Sequence, residues 1–198
     1  MRRFRPPMSV VMIAFAGLLL SACNTPPNVN RFDQINFQHL PDIKLDVAEV
    51  VVEQSYDPPN LPPNVDHLFE VSPSQTAMRW AGDRLVVGGA RRQARFIVRE
   101  ASVVEVPLET SKGITGFLTL DQTERYQAKI EVELQIIDGD RVAGSTVVRA
   151  KRSITVPENI TLNEREGIWY QLTQKIMNDL NGELEKAIDT HYGAYLVL

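Results

Sequence analysis

The sequence predicts a two-layer α+β sandwich, a four-stranded mixed sheet with two helices on one face, in the order strand, helix, three strands, helix. Three observations carry this. The stretch 126–136 alternates strictly between apolar and polar residues and turns through Asp138-Gly139-Asp140 into a further strand-like run at 142–155, which makes a hairpin. Two segments open on a capping residue and continue as an apolar stripe at helical spacing. Each helix has a single such stripe, so both most simply cover one face of one sheet.

The first strand is expected over residues 45–53, where Leu45, Val47 and Val51 alternate with Ala48, Val50 and Val52. Apolar residues on both alternations suit a strand buried on both faces or lying centrally. A proline-rich loop over 57–66 ends it. Ser72 then supplies an N-cap, Pro73 fills the first helical position, and Gln75 stands three residues after the cap. Ala77, Ala81 and Leu85, with Met78 and Trp80 alongside, form the stripe, and Gly88-Gly89 is expected to stop the helix.

The second strand covers 96–106 and is interrupted by polar residues at Arg99 and Glu100. In the third, Tyr126, Ala128, Ile130, Val132, Leu134 and Ile136 alternate with Gln127, Lys129, Glu131, Glu133 and Gln135. One of its faces must be wet and the other must meet a core. Thr161-Leu162-Asn163-Glu164 reads as a capping box for the last and longest helix, whose stripe is Trp169, Leu172, Ile176, Leu180, Leu184 and Ala187. Gly182 is expected to bend that helix or end it early, and the apolar tail 192–198 to dock on the domain. A crossover through the first helix makes the first two strands parallel, and short connections make the last three an antiparallel meander.

The N-terminus has a different character. Arg2, Arg3 and Arg5 precede an apolar run of 12 residues at 9–20, and small residues Ser21 and Ala22 lead to Cys23, the single cysteine of the chain. This is the layout of a secretory signal, too short for a membrane span, which needs about 20 apolar residues for ~30 Å of hydrocarbon. Residues 1–22 are therefore read as a signal peptide, 23–43 as Cys23 plus a flexible tether, and 44–198 as one domain. The tether, with three prolines and four asparagines over 24–43, would span at most ~66 Å fully extended. The alternative is that Phe32, Ile35 and Phe37 fold back as a short arm.

Removing residues 1–22 takes away three arginines and no acidic residue, so 18 basic against 25 acidic groups leave a charge of −7. Such a chain gives nucleic acid no electrostatic reason to bind. One cysteine allows neither an internal disulfide nor a thiolate metal site. A length near 150 residues makes staples unnecessary, because a domain of that size buries roughly 68–70% of its unfolded surface.

Catalytic equipment is not expected. His39, His67 and His191 fall in the tether, a loop and the last helix end, without the three- or four-residue spacing of a helix-borne metal site. No G-x-S-x-G elbow occurs. Gly88-Gly89-Ala90 follows a helix instead of opening one, so it lacks the amide groups that bind phosphate. No metal, cofactor or enzymatic activity is expected.

Two features are candidates for binding. Arg91, Arg92, Arg95 and Arg99, with Arg84 nearby, gather at the first helix end and the following strand, as an anion or lipid-headgroup patch or as a solvated rim paired with Asp83 and Glu100. Phe117, Leu118 and Leu120 sit in a glycine-flanked segment between two strands, either as an apolar partner-binding loop or as a strand extension tucked onto the core.

Leu20-Ser21-Ala22-Cys23 resembles the lipobox of bacterial lipoproteins. That resemblance implies cleavage before Cys23, a diacylglycerol thioether on its sulfur and an acyl chain on its new amino group. Several chains on one residue give stable anchoring, at about 0.8 kcal/mol per buried CH2. Asn24 in place of Asp implies, by the sorting rule of enterobacterial lipoproteins, an outer-membrane location facing the periplasm. With the helix start at 72–80 after a proline-rich loop and the closing amphipathic helix at 169–184, the chain resembles the auxiliary lipoproteins of bacterial ABC-type envelope transport systems. It resembles more loosely the lipoprotein partners of lipopolysaccharide assembly. These imply a noncatalytic accessory or adaptor subunit, tethered to the membrane through its lipid, that docks on a protein partner in the cell envelope. The alternative is a periplasmic carrier that holds a lipid or small apolar ligand between sheet and helices. A carrier needs an open cavity of several hundred Å3, on the order of 300 or more.

Overall fold

The computed structural model describes residues 32–108, 122–157 and 160–197. Strands β1 (Ile43–Leu45), β2 (Glu49–Gln54), β3 (Leu85–Val87), β4 (Gln93–Pro107), β5 (Gln122–Asp138) and β6 (Arg141–Pro157) accompany two helices, α1 (Pro73–Arg84) and α2 (Leu162–His191). The main sheet has the order β2-β4-β5-β6, with β2 parallel to β4 and the remaining pairs antiparallel. Both helices lie on the same face, α1 against β2 and β4 and α2 against β5 and β6. The expected two-layer α+β sandwich is the fold observed.

Alternation decides which side of each strand is buried. On β5, Tyr126, Ile130, Val132, Leu134 and Ile136 are fully covered by the helices, and on β4 Ala94, Phe96, Val98, Ala101 and Val103 do the same. From α1, Trp80 stacks on Phe96 with ring centroids 5.6 Å apart. From α2, Trp169 stacks on Phe69 at 4.8 Å and meets Tyr126 edge-on at 5.8 Å. Leu172, Ile176, Met177, Leu180 and Leu184 close the layer between sheet and helix. Each such side chain contributes roughly 1.5–3 kcal/mol by leaving water.

The single strand expected over 45–53 is two strands in two sheets. β1 pairs in parallel with β3, and β2 pairs with β4. The switch falls at 46–48, where the backbone turns to other partners: Asp46 donates to the Tyr195 carbonyl at 2.7 Å and Ala48 to that of Arg91 at 2.9 Å. Gly88-Gly89 does not stop α1 directly, because the helix ends at Arg84 and β3 intervenes. Valines 86 and 87 favour an extended chain, and β1 supplies the partner. The glycines serve a close approach instead. A Cβ on Gly89 would stand 2.7 Å from the carbonyl carbon of Asp46.

Both helix starts form as the sequence predicts. Ser72 Oγ accepts from the Gln75 amide at 3.3 Å, and Pro73 occupies the first turn. At α2, Thr161 Oγ1 accepts from the Glu164 amide at 3.3 Å while Glu164 accepts from the Thr161 amide at 2.8 Å, a closed capping box. Gly182 does not end α2 early, because the helix runs 30 residues, about 45 Å, to His191. Leu180, Leu184 and Ile188 on either side of it are buried and hold the chain helical. The tail docks, with Leu196 bridged to Leu45 and the Val197 amide donating to the Lys44 carbonyl at 2.9 Å.

Of the two readings of the segment before β1, the docked arm describes residues 32–40. Phe37 is buried, its amide donates to Asp83 Oδ2 at 2.8 Å, and Phe32 stacks on Tyr170 at 4.9 Å.

Candidate functional site

Among the described residues no helix or strand layer covers the face of the sheet opposite α1 and α2, and a one-residue irregularity in β4 shapes that face. Val98 pairs with Val132 and Glu100 with Glu131, which leaves Arg99 as the extra residue of a β-bulge. The polar interruption at Arg99 and Glu100 marks this place in the sequence. Because Arg99 is surplus to the ladder, its guanidinium reaches sideways to Glu133 on β5.

A row of ion pairs crosses this open face from strand to strand. Glu53 on β2 takes a two-pronged contact from Arg95 Nη2 on β4, at 2.9 and 2.8 Å. Arg99 meets Glu133, Lys129 meets Glu100, and Arg149 Nε on β6 donates to Glu131 at 2.8 Å. Exposed pairs of this kind contribute at most about 1 kcal/mol each. Glu133 differs from the others, because it is only 5% exposed although it lies on the wet face. Burial alone would raise its pKa, yet hydrogen bonds from Ser145, Gln135 and Arg99 outweigh this and hold the carboxyl below its ordinary value. Beside this row a shallow groove of about 460 Å3 is lined by Ser102, Gln127, Lys129, Lys151 and Ser153.

The arginines singled out from the sequence are dispersed by the fold. Arg84 is buried at the contact of α1 and α2, where it donates to Asn181 at 2.8 Å and pairs with Glu185 at 2.7 Å over the Trp80 ring. Arg92, at positive φ, bridges Asp46 at 2.5 Å and Asp138 at 3.3 Å. Arg95 and Arg99 belong to the open sheet face with the partners given above. Arg91 is exposed and has no ion-pair partner among the described residues. The partners expected from sequence serve elsewhere, Asp83 on the arm and Glu100 on Lys129. Alternation placed these arginines on β4 or its approach, but only cross-strand register could show which carboxylates face them.

Cys23 and the Phe117, Leu118 and Leu120 segment lie outside the described residues. His39, His67 and His191 are all exposed. Among the described residues no group of three or more histidines, cysteines or carboxylates stands together to hold a metal ion, and no helix is long and apolar enough to cross a membrane.

A second surface groove was not legible as such in the sequence. It runs between β6 and the last turns of α2 and holds about 370 Å3. Its one trace in the sequence is compositional, since residues 141–157 contain four basic residues and no acidic one.

Fold and surface together define a two-layer α+β domain that presents a row of charged pairs on one face of its sheet. No family model matches the chain, and no curated protein matches it. Solved structures similar to it include the rare lipoprotein B from Shewanella oneidensis, at 13% identity and a TM-score of 0.39 over 72% of this chain and 95% of that one. A minor lipoprotein from Acinetobacter baumannii is similar at 14% identity and a TM-score of 0.37, over 78% of this chain and 98% of that one. A protein from Xanthomonas campestris is similar at 9% identity and a TM-score of 0.33, over 79% and 94% of the respective chains.

Proposed function

We propose that this chain is a lipid-anchored lipoprotein of the bacterial cell envelope that acts as a noncatalytic accessory or adaptor subunit of a transport or assembly complex. The observation that carries it is the run of apolar residues ending in Leu20-Ser21-Ala22-Cys23, with the single thiol of the chain where a lipid would be attached. Asn24 favours the outer membrane, with the domain on the periplasmic side. The resemblance to auxiliary lipoproteins of ABC-type transport systems favours a transport complex as the partner.

The interior favours an adaptor over a carrier. The layer that a carrier would keep open is occupied by Trp80, Phe96, Ile130, Leu134, Leu172 and Ile176, each at most 1% exposed. The grooves described above are open surface features between strands or between strand and helix. An adaptor needs a rigid filled body and an accessible surface, and these features supply both.

The test has two arms on the full chain. Radiolabelled palmitate should enter the native chain and not a Cys23→Ser variant, which should leave the membrane fraction; labelling or membrane retention of the variant overturns the anchor. Detergent-solubilised envelope should yield the anchored chain together with a defined transport or assembly component in fixed ratio. Recovery of bulk lipoproteins alone overturns the adaptor.

A further inference from the structure

β6 is the last strand of the main sheet, and among the described residues no strand pairs with its far edge. It is 17 residues long, so about half of its backbone N–H and C=O groups point away from β5. Tyr195 Oη donates to the Ala143 carbonyl at 3.3 Å and covers the start of this edge. From Ser145 onward the edge borders the groove to α2, walled by Thr146, Val147, Val148 and Arg149 from the strand and by Lys186 and Thr190 from the helix. An open strand edge beside a helix is the geometry of strand addition: the edge supplies main-chain hydrogen bonds, and alternate side chains of the added strand drop into the groove.

The charge pattern selects the occupant. β6 carries Arg141, Arg149, Lys151 and Arg152 and no acidic residue, in a chain with 25 acidic and 21 basic residues. Arg149 and Arg152 are held by Glu131 and Asp179. Arg141 and Lys151 on the strand, and Lys186 across the groove, are exposed and have no ion-pair partner among the described residues. Glu183 is the carboxylate of the groove lining and stands one turn from Lys186. A second copy paired on the same edge in the register that sets residues 149–152 against their own counterparts would oppose like charges directly, which is unfavourable. The row that turns away another copy attracts an acidic strand.

We propose that the β6 edge from Ser145 onward accepts an extended acidic segment of a protein partner as a fifth strand, with alternate side chains in the groove between β6 and α2. This rests on the adaptor reading for the existence of a partner, and it is independent of the lipid anchor.

The probe is a synthetic decapeptide of paired glutamates and paired valines in alternation, which sets carboxylates on both faces of the added strand, titrated against the full chain in detergent micelles and read by hydrogen exchange. Exchange over residues 145–153 should slow about tenfold or more. A peptide with lysine in place of glutamate should bind at least about tenfold more weakly, and added salt should weaken the acidic peptide. The acidic peptide N-methylated along its backbone keeps its charges but loses its donors, and it should not bind. Lys151→Glu with Lys186→Glu should weaken binding about tenfold with an unchanged thermal melt. Protection elsewhere, equal binding of the lysine peptide, or indifference to N-methylation overturns the proposal, and these arms decide it even where the double variant fails to fold. Concentration-dependent protection of the same amides without peptide identifies a second copy as the occupant and equally overturns it. Capture of the envelope component undiminished in the double variant, with no peptide binding, overturns this inference and leaves the adaptor reading standing.

Discussion

The indole nitrogen of Trp80 on α1 donates to Oδ1 of Asn181 on α2 at 2.7 Å, across 101 residues of chain. The same oxygen accepts from Arg84 at 2.8 Å, so one amide satisfies two donors that packing has removed from water. Asn181→Leu leaves the buried indole N–H and part of the guanidinium unpaired. The expected loss is about 1–3 kcal/mol in urea unfolding, and a loss under about 0.5 kcal/mol would show that water replaces the amide.

One carboxylate receives two donors of the arm. Asp83 Oδ2 takes the Phe37 amide at 2.8 Å, and Asp83 Oδ1 takes the side-chain amide of Gln38 at 3.3 Å. Asp83→Ala should speed hydrogen exchange at residues 32–40 well before it lowers the melting temperature of the sheet. Equal loss of protection in β5 would mean instead that the arm and the core unfold as one unit.

Gly182 lies within α2 on an exposed face, and a Cβ there would meet nothing within 4 Å. Its backbone is helical, so glycine only adds freedom to the unfolded chain. Gly182→Ala should therefore stabilise by about 0.5–1 kcal/mol, measured as a higher urea midpoint at constant slope. A destabilised variant would reveal that the helix needs to flex at this point.

The capping box predicts an acid response. Hydrogen bonds from the backbone and hydroxyl of Thr161 lower the pKa of Glu164. A group with a depressed folded pKa stabilises above its unfolded value, about 4.3, and loses that contribution as pH falls through the folded value. Thr161→Ala should cost about 0.5–2 kcal/mol at neutral pH. The difference from the native chain should narrow as pH falls below the unfolded value, about 4.3, and through the lower folded value of Glu164. A difference that stays constant to pH 2 would remove Glu164 from the explanation.

Glu133 should give a second acid-sensitive contribution through the strands. Despite burial, its contacts to Ser145, Gln135 and Arg99 keep its pKa depressed, so the stabilisation is present above about pH 4.3 and is lost in more acid solution. Glu133→Gln keeps the shape but removes the charge opposite Arg99. It should destabilise at pH 7 and converge with the native chain as pH falls. A variant as stable as the native chain at pH 7 would show that the charge on this face is dispensable.

Elements with a local cause are legible in the chain of residues alone. Ser72 and Thr161 announce helix starts because their hydroxyls reach amides three residues on, and β5 announces itself because side chains alternate across a strand. Helical pattern and connection length were also enough to place both helices on one face. Features that depend on groups far apart in the chain emerge on folding. Residues 45–53 split between two sheets because Tyr195 and Arg91 supply competing backbone partners. Phe37 leaves the tether because Asp83 is there to receive it. Arg84, Arg92, Arg95 and Arg99, neighbours in sequence, go to different carboxylates because strand register and a bulge set their reach. The groove at β6 exists only where α2 passes beside an edge that no strand pairs with among the described residues. Capping and alternation are interactions within a few residues, which a sequence displays, whereas register and docking are choices among distant partners that only the packed chain makes.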